Sequence, residues 1–258
     1  MSTMRAGIIV LGPLLAKFGK AKVSTPGGCS IGFRPIDIHL EALKNMGAQY
    51  KIIDGYVHAK AKNGLIGAKI KFTKISVGAT ENLMIAACLA KGETILSNCA
   101  IEPEIKDLSN FLISIGAQIK WIGKRKVKII GIKNFKESNY KIMFDRIEAG
   151  TMLIVAAMNQ NNLKITGLDP KIIRTEINIL KKVGAKIVQK KNEILIRGSK
   201  KIKNINIKTS PYPGFPTDLQ AQMMVLLCKA NKKSIIKEDI FENRFQSVSE
   251  LRRMNAKI

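Results

Sequence analysis

The sequence predicts an α/β fold assembled from a repeated α-β-α-β-β unit of about 70 residues. Three observations lead there. One phrase recurs four times, as Leu43–Tyr50 (LKNMGAQY), Leu112–Ile119 (LISIGAQI), Leu180–Ile187 (LKKVGAKI) and Leu251–Ile258 (LRRMNAKI). The small or turn-forming residue inside it is Gly47, Gly116, Gly184 or Asn255, at intervals of 69, 68 and 71 residues. Across each phrase the apolar residues change from helical to alternating spacing.

Each phrase therefore reads as the end of a helix followed by a strand. A Gly or Asn after an apolar helical pattern is the usual left-handed stop. Ahead of the phrases lie apolar helices, predicted over Ile8–Lys17, Thr80–Lys91, Gly150–Asn159 and Asp218–Lys229. Short strands follow them at Lys22–Ser24, Glu93–Leu96, Leu163–Thr166 and Ser234–Lys237. A loop and a second helix then lead into the phrase. After each of the first three phrases comes an alternating hairpin, for example Ile119–Trp121 with Val127–Ile130, and Ile187–Gln189 with Glu193–Ile196. A solenoid is a weaker account, because solenoid units run to roughly 20–45 residues. The chain begins inside a first helix and the fourth copy stops at Ile258 without a hairpin. A chain truncated at both ends is the expectation, and an unusual capping unit at each end is the alternative.

Composition is that of a globular chain, with 46% hydrophobic and 24% charged residues. The net charge of +25 on its own points to an anionic polymer. The kind of base argues otherwise, since only nine of the 44 basic residues are Arg. Nucleic-acid readers favour Arg forks and aromatic platforms, and aromatics are 5% here. The Lys, Ile and Asn abundance matches compositional drift. Cys29, Cys88, Cys99 and Cys228 form no CxxC pair, and with His39 and His58 they complete no zinc pattern. Cys88 and Cys228 lie in apolar helical runs and are expected to be buried. Free cysteines fit a reducing cytoplasm. No signal peptide is expected, and the apolar run Ile8–Leu15 is too short to span a bilayer.

Chemistry concentrates in a few segments. The loop Thr25–Gly32 (TPGGCSIG) has three glycines and a proline, so its backbone can approach a ligand closely. Cys29 sits at its tip with Arg34 and Lys22 nearby in sequence, and cations lower a thiol pKa. Cys29 is thus a candidate proton donor or nucleophile, or an idle loop thiol. Ser76–Thr80 (SVGAT) opens an apolar helix whose backbone N–H groups could hold a diphosphate, or is an ordinary Ser N-cap. Asp218 is a candidate base, or a helix-start carboxylate.

The run Pro26–His39, Pro-Gly-Gly-Cys-x-Ile-Gly-x-Arg-Pro-x-Asp-x-His, resembles the mobile lid of the UDP-N-acetylglucosamine 1-carboxyvinyltransferases. Six further blocks resemble that family in the same order: Thr3–Ala6, Lys74–Thr80, Glu102–Ile105, Asp145–Thr151, Phe215–Gln222 and Phe241–Phe245. The related shikimate-pathway transferase shares the repeat but lacks the cysteine lid. The resemblance implies two inside-out α/β barrel-like domains, incomplete here, over residues 1–143 and 144–258. It implies transfer of the enolpyruvyl group from phosphoenolpyruvate to the 3-hydroxyl of UDP-N-acetylglucosamine, with release of phosphate, early in peptidoglycan synthesis. Cys29 would be the thiol acid, Asp218 the base and Arg34 the stabiliser of phosphate charge. Arg5, Arg34, Pro35, Ile36, Asp37 and Ile38, the loop Lys74, Ile75, Ser76, Val77 and Gly78, and Asp218 and Ile240 would bind substrate. No metal or organic cofactor is implied, and no nucleic-acid or membrane partner; the oligomeric state stays open. The family's lysine–asparagine pair for phosphoenolpyruvate and its later arginines have no counterpart here, so the chain alone is expected to be inactive. The alternative is a basic, non-enzymatic module for nucleic acid or another anionic polymer.

Overall fold

The computed structural model describes residues 5–25, 36–159 and 162–258. They fall into two compact units, one ending at Ile142 and the other running from Met143 to Ile258.

The first unit opens with a 3-10 turn (Arg5–Val10) that runs into α1 (Leu11–Phe18), followed by β1 (Lys20–Ser24), α2 (Asp37–Asn45), β2 (Gln49–Ile53) and β3 (Tyr56–Lys60). A short β4 (Lys69–Lys71) leads into the second copy: α3 (Val77–Ala87), β5 (Glu93–Ser97), α4 (Pro103–Ser114), β6 (Gln118–Gly123) and β7 (Lys126–Ile130). The second unit repeats the order with α5 (Arg146–Asn159), β8 (Asn162–Thr166), α6 (Arg174–Lys182), β9 (Lys186–Lys190) and β10 (Glu193–Arg197). Then come β11 (Asn206–Lys208), a 3-10 turn (Thr217–Leu219), α7 (Gln220–Leu227), β12 (Ile235–Lys237) and α8 (Ser247–Arg253).

The repeated phrase forms one device four times. Gly47, Gly116, Gly184 and Asn255 all have positive φ, at 90°, 100°, 113° and 64°. The next N–H, of Ala48, Ala117, Ala185 or Ala256, reaches back to the carbonyl of Leu43, Leu112, Leu180 or Leu251 at 2.9–3.1 Å. The N–H of the left-handed residue itself bonds to Lys44, Ile113, Lys181 or Arg252 at 2.9–3.1 Å. This is the Schellman closure, which satisfies orphan carbonyls and turns the chain into the next strand.

In each complete copy the first strand pairs with the third and the third with the second, all antiparallel: β1-β3-β2, β5-β7-β6 and β8-β10-β9. The central strands β3, β7 and β10 bury every second residue, the period of a half-buried strand. The first helix of each copy is different. α3 buries Ala79, Asn82, Leu83, Met84, Ala86 and Ala87, more than half of its circumference, and leaves only a half-buried stripe through Glu81 and Ile85. The second helices are amphipathic, as α6 shows by burying Ile177 and Leu180 and exposing its lysines. Each unit has one core, packed around α1 and α3 in the first and around α5 and α7 in the second. Helices thus lie inside and sheets outside, and the described residues close no barrel.

Two features depart from the sequence expectation. β4 and β11 add a short parallel strand against β5 and β12, with Ile70 opposite Leu96 and Ile207 opposite Ile236. Three-residue strands with one inward apolar residue have no periodicity to read. Cys228 is exposed rather than buried: it caps α7 as Cys88 caps α3, but the segment after β7 that bonds the Cys88 carbonyl through the Ile132 N–H at 2.8 Å has no counterpart over Cys228 among the described residues. Cys88, the matching position after α3, is buried as expected.

α1 and α3 cross closely at Gly12. A side-chain carbon there would meet the Asn82 side chain, its carbonyl oxygen at 2.9 Å and the Ala86 Cβ at 3.0 Å. Gly12→Ala should therefore destabilise the first unit by about 1–3 kcal/mol, despite the higher helix propensity of Ala. Urea unfolding at a lower midpoint with an unchanged slope is the expected result.

Candidate functional site

In the first unit the predicted substrate segments converge on Gly78. Ser76 is the N-cap of α3, in extended backbone, and its hydroxyl accepts the Ala79 N–H at 3.2 Å. The first N–H groups of a helix have no intrahelical acceptor. Ser76 occupies one, which leaves those of Val77 and Gly78 as anion-binding candidates. Lys74 is exposed just before the cap, and Ile75 is half-buried. The Thr80 hydroxyl donates to the Ser76 carbonyl at 2.7 Å and accepts the Ala100 N–H at 3.0 Å, which ties the helix start to the segment after β5.

A side-chain carbon at Gly78 would lie 3.6 Å from His39 Cε1 and 3.9 Å from Ile9 Cγ1. His39 belongs to the first turn of α2, whose start is formed by Ile36, Asp37 and Ile38. Ile9 belongs to the turn that begins at Arg5. Residues far apart in sequence therefore meet at one helix start: the Arg5 turn, residues 36–39 and residues 74–78. The Arg5 side chain, Cys29, Arg34 and Pro35 lie outside the described residues.

His39 is buried, and burial lowers its pKa to about 4 against a smaller opposing effect of Asp37. Its ring is neutral near pH 7. Glu81, one turn into α3, moves the other way. Burial, then the carboxylates of Glu104 and Glu102, push it up to about 7. Burial also pushes the Cys88 and Cys99 thiols up to about 12, so neither is a nucleophile near neutral pH.

In the second unit, Asp218 sits half-exposed in the 3-10 turn before α7 and pairs with Arg244, whose NH2 group is 2.7 Å from Oδ1. Glu238 holds the neighbourhood together. One of its oxygens accepts the N–H groups of Ile240 (2.8 Å) and Phe241 (3.1 Å), and the other accepts the Thr217 hydroxyl at 2.9 Å. It thus joins the Asp218 turn to the loop that carries Ile240. Sequence reasoning left both Glu238 and Arg244 out of the site. Arg244 was visible only as part of the block Phe241–Phe245, and nothing in the sequence marks Glu238. Among the described residues no cluster of His, Cys, Asp and Glu could hold a metal ion. Among the described residues, no helix is long and apolar enough to cross a membrane.

The family model described as EPSP synthase (3-phosphoshikimate 1-carboxyvinyltransferase) matches residues 1–258. The chain belongs to the EPSP synthase family. It is 76% identical over 258 residues to the UDP-N-acetylglucosamine 1-carboxyvinyltransferase of Pelagibacter ubique (strain HTCC1062), covering all of this chain and 62% of that protein. It is 51% identical, with the same coverage, to the enzyme of that name from Geotalea uraniireducens (strain Rf4). The chain therefore spans less than two thirds of the curated relatives it matches. Among solved structures, the enolpyruvyl transferase NikO from Streptomyces tendae superposes with a TM-score of 0.82 at 20% identity, over 95% of this chain and 59% of that one. EPSP synthase from Acinetobacter baumannii gives 0.66 at 18%, over 95% and 58%. These likenesses establish the enolpyruvyl transferase fold. The idea of a basic polymer-binding module finds no support in them.

Two measurements follow from the geometry. Glu238→Ala removes an acceptor from two backbone N–H groups, so amide exchange at Ile240 and Phe241 should speed up by about tenfold or more. The second concerns pH. An unfolded His39 protonates near 6.5 and the folded one near 4, so its contribution to stability falls as pH drops through that window. Glu81 acts oppositely, gaining stability as pH falls from about 7 toward 4.5. In a Glu81→Gln background, adding His39→Asn should remove about 3 kcal/mol of acid-induced loss between pH 6.5 and 4, read by urea unfolding.

Proposed function

We propose that this chain carries the nucleotide-binding segments and the acid and base groups of an enolpyruvyl transferase. That enzyme moves the enolpyruvyl group of phosphoenolpyruvate to the 3-hydroxyl of UDP-N-acetylglucosamine and releases phosphate. The convergence of the Arg5 turn, residues 36–39 and residues 74–78 at the start of α3 is the observation that carries the proposal. It presents helix N–H donors to a diphosphate, with Lys74 beside them. The names of the relatives at 76% and 51% identity support the same substrates.

In this mechanism Cys29 delivers a proton to the methylene carbon of phosphoenolpyruvate, and Asp218 takes the proton of the attacking sugar hydroxyl. The adjacent carbon becomes a tetrahedral ketal phosphate, with Arg34 balancing phosphate charge. The carbon–oxygen bond to phosphate then breaks, a proton leaves the new methyl group, and the enol ether is regenerated. Arg244 holds the Asp218 carboxylate at 2.7 Å and so fixes where the base stands. The chemistry calls for no metal or organic cofactor. Free thiols at Cys88, Cys99 and Cys228 fit the reducing cytoplasm in which such a precursor would be made.

Calorimetry with this chain tests the nucleotide part: UDP-N-acetylglucosamine should bind, and Lys74→Ala should weaken binding by about tenfold, the order expected for one lost charge-assisted contact. Fosfomycin, an epoxide analogue of phosphoenolpyruvate, should label Cys29 ahead of the other three cysteines by peptide mass mapping. A folded chain that ignores the nucleotide, or that labels evenly, would sink the proposal.

A further inference from the structure

The geometry points to Asn82 as a positioning residue: its buried amide locks His39 in one tautomer against Gly78 and ties together the three segments that would hold the sugar nucleotide. The inference rests on the proposed nucleotide site.

Asn82 lies one turn into α3 and is fully buried, at 0% exposure. An amide so placed is costly unless its hydrogen bonds are made. All its partners come from elsewhere in the chain. Its Oδ1 accepts the Gly12 N–H at 2.8 Å. Its Nδ2 donates to the Ile8 carbonyl at 3.3 Å and faces His39 Nδ1 at 3.0 Å. The backbone partners settle which way the amide points. Gly12 offers only an N–H and Ile8 only a carbonyl, so the oxygen must face Gly12 and the nitrogen must face Ile8. The same nitrogen then donates to His39, and His39 Nδ1 must be the unprotonated acceptor.

It follows that the remaining hydrogen sits on His39 Nε2. Burial keeps the ring from taking a second proton near pH 7. The Cε1–Nε2 edge is the edge turned to Gly78, at 3.6 and 3.8 Å from a carbon built there. One amide thus sets three things: the turn that carries Arg5 through the Ile8 carbonyl, the position of α1 through Gly12, and the start of α2 through His39. A side chain that merely filled the core would set none of these.

The experiment uses the chain labelled with 15N at histidine. Near neutral pH the His39 imidazole should show an unprotonated Nδ1 and a protonated Nε2; the opposite tautomer overturns the inference outright, with no variant needed. Asn82→Asp replaces the donor facing His39 by an acceptor. His39 Nδ1 should then become protonated, and affinity for UDP-N-acetylglucosamine should fall by about tenfold. His39→Asn keeps an acceptor for Asn82 and should bind the nucleotide more tightly than His39→Leu. Unchanged affinity in Asn82→Asp, with the tautomer switched, would show that the lock does not serve the site. If the tautomer behaves as expected but the wild-type chain binds no nucleotide, the lock stands and the proposed function falls.

Discussion

The first unit depends on one constraint: α1 and α3 approach so closely at Gly12 that only a hydrogen fits between them. That approach brings the backbone N–H of Gly12 within 2.8 Å of the Asn82 side chain and seals α3 inside the core. With most of α3 buried, its apolar residues are spent on the neighbouring helices as well as on the sheets, which lie outside it. The second unit meets the same requirement with different residues. Gly150 of α5 packs against Leu219, and Gln222 of α7 donates to Thr151 of α5 at 3.1 Å. A small residue on one helix and a carboxamide on the next recur in both pairs.

Much of this architecture was legible in the sequence because its punctuation is chemical. A left-handed residue after an apolar helix has few identities to choose from, so the four stops announce themselves and carry the repeat. β4 and β11 were not legible, since each rests on hydrogen bonds to a strand more than twenty residues away and buries a single isoleucine. The site divides in the same way. The Ser76 cap and the α2 start could be read locally, whereas Glu238 works through contacts to Thr217, Ile240 and Phe241 that no local pattern encodes. The bland alternative for Ser76, an ordinary N-cap, also holds: the cap is what orients the neighbouring N–H groups.

The surplus of lysine is organised by a few carboxylates on the sheets. Lys208 and Lys237 stand directly opposite each other in register, a repulsive arrangement that Asp239 relieves by pairing with both. Glu193, on the central strand β10, pairs with Lys164 of β8 on one side and Lys190 of β9 on the other. Lys128 pairs with Glu93 across β7 and β5. These pairs lie near the surface, where ion pairs contribute little to stability. Their effect is to break up runs of positive charge on the outer faces.

The left-handed stops also bear on how such a chain changes over time. On the exposed strand faces the fold is indifferent to the side chain, and lysine recurs there. At the four stops the fold is not indifferent, because most side chains with a Cβ are strained there, asparagine being among the few that are tolerated. Asparagine meets this demand while carrying a side chain, since its short polar group can hydrogen-bond locally in the left-handed conformation. Asn255, at φ 64°, stands where the other three copies keep glycine. Backbone geometry thus acts as a filter on substitution at these four positions, passing glycine and asparagine.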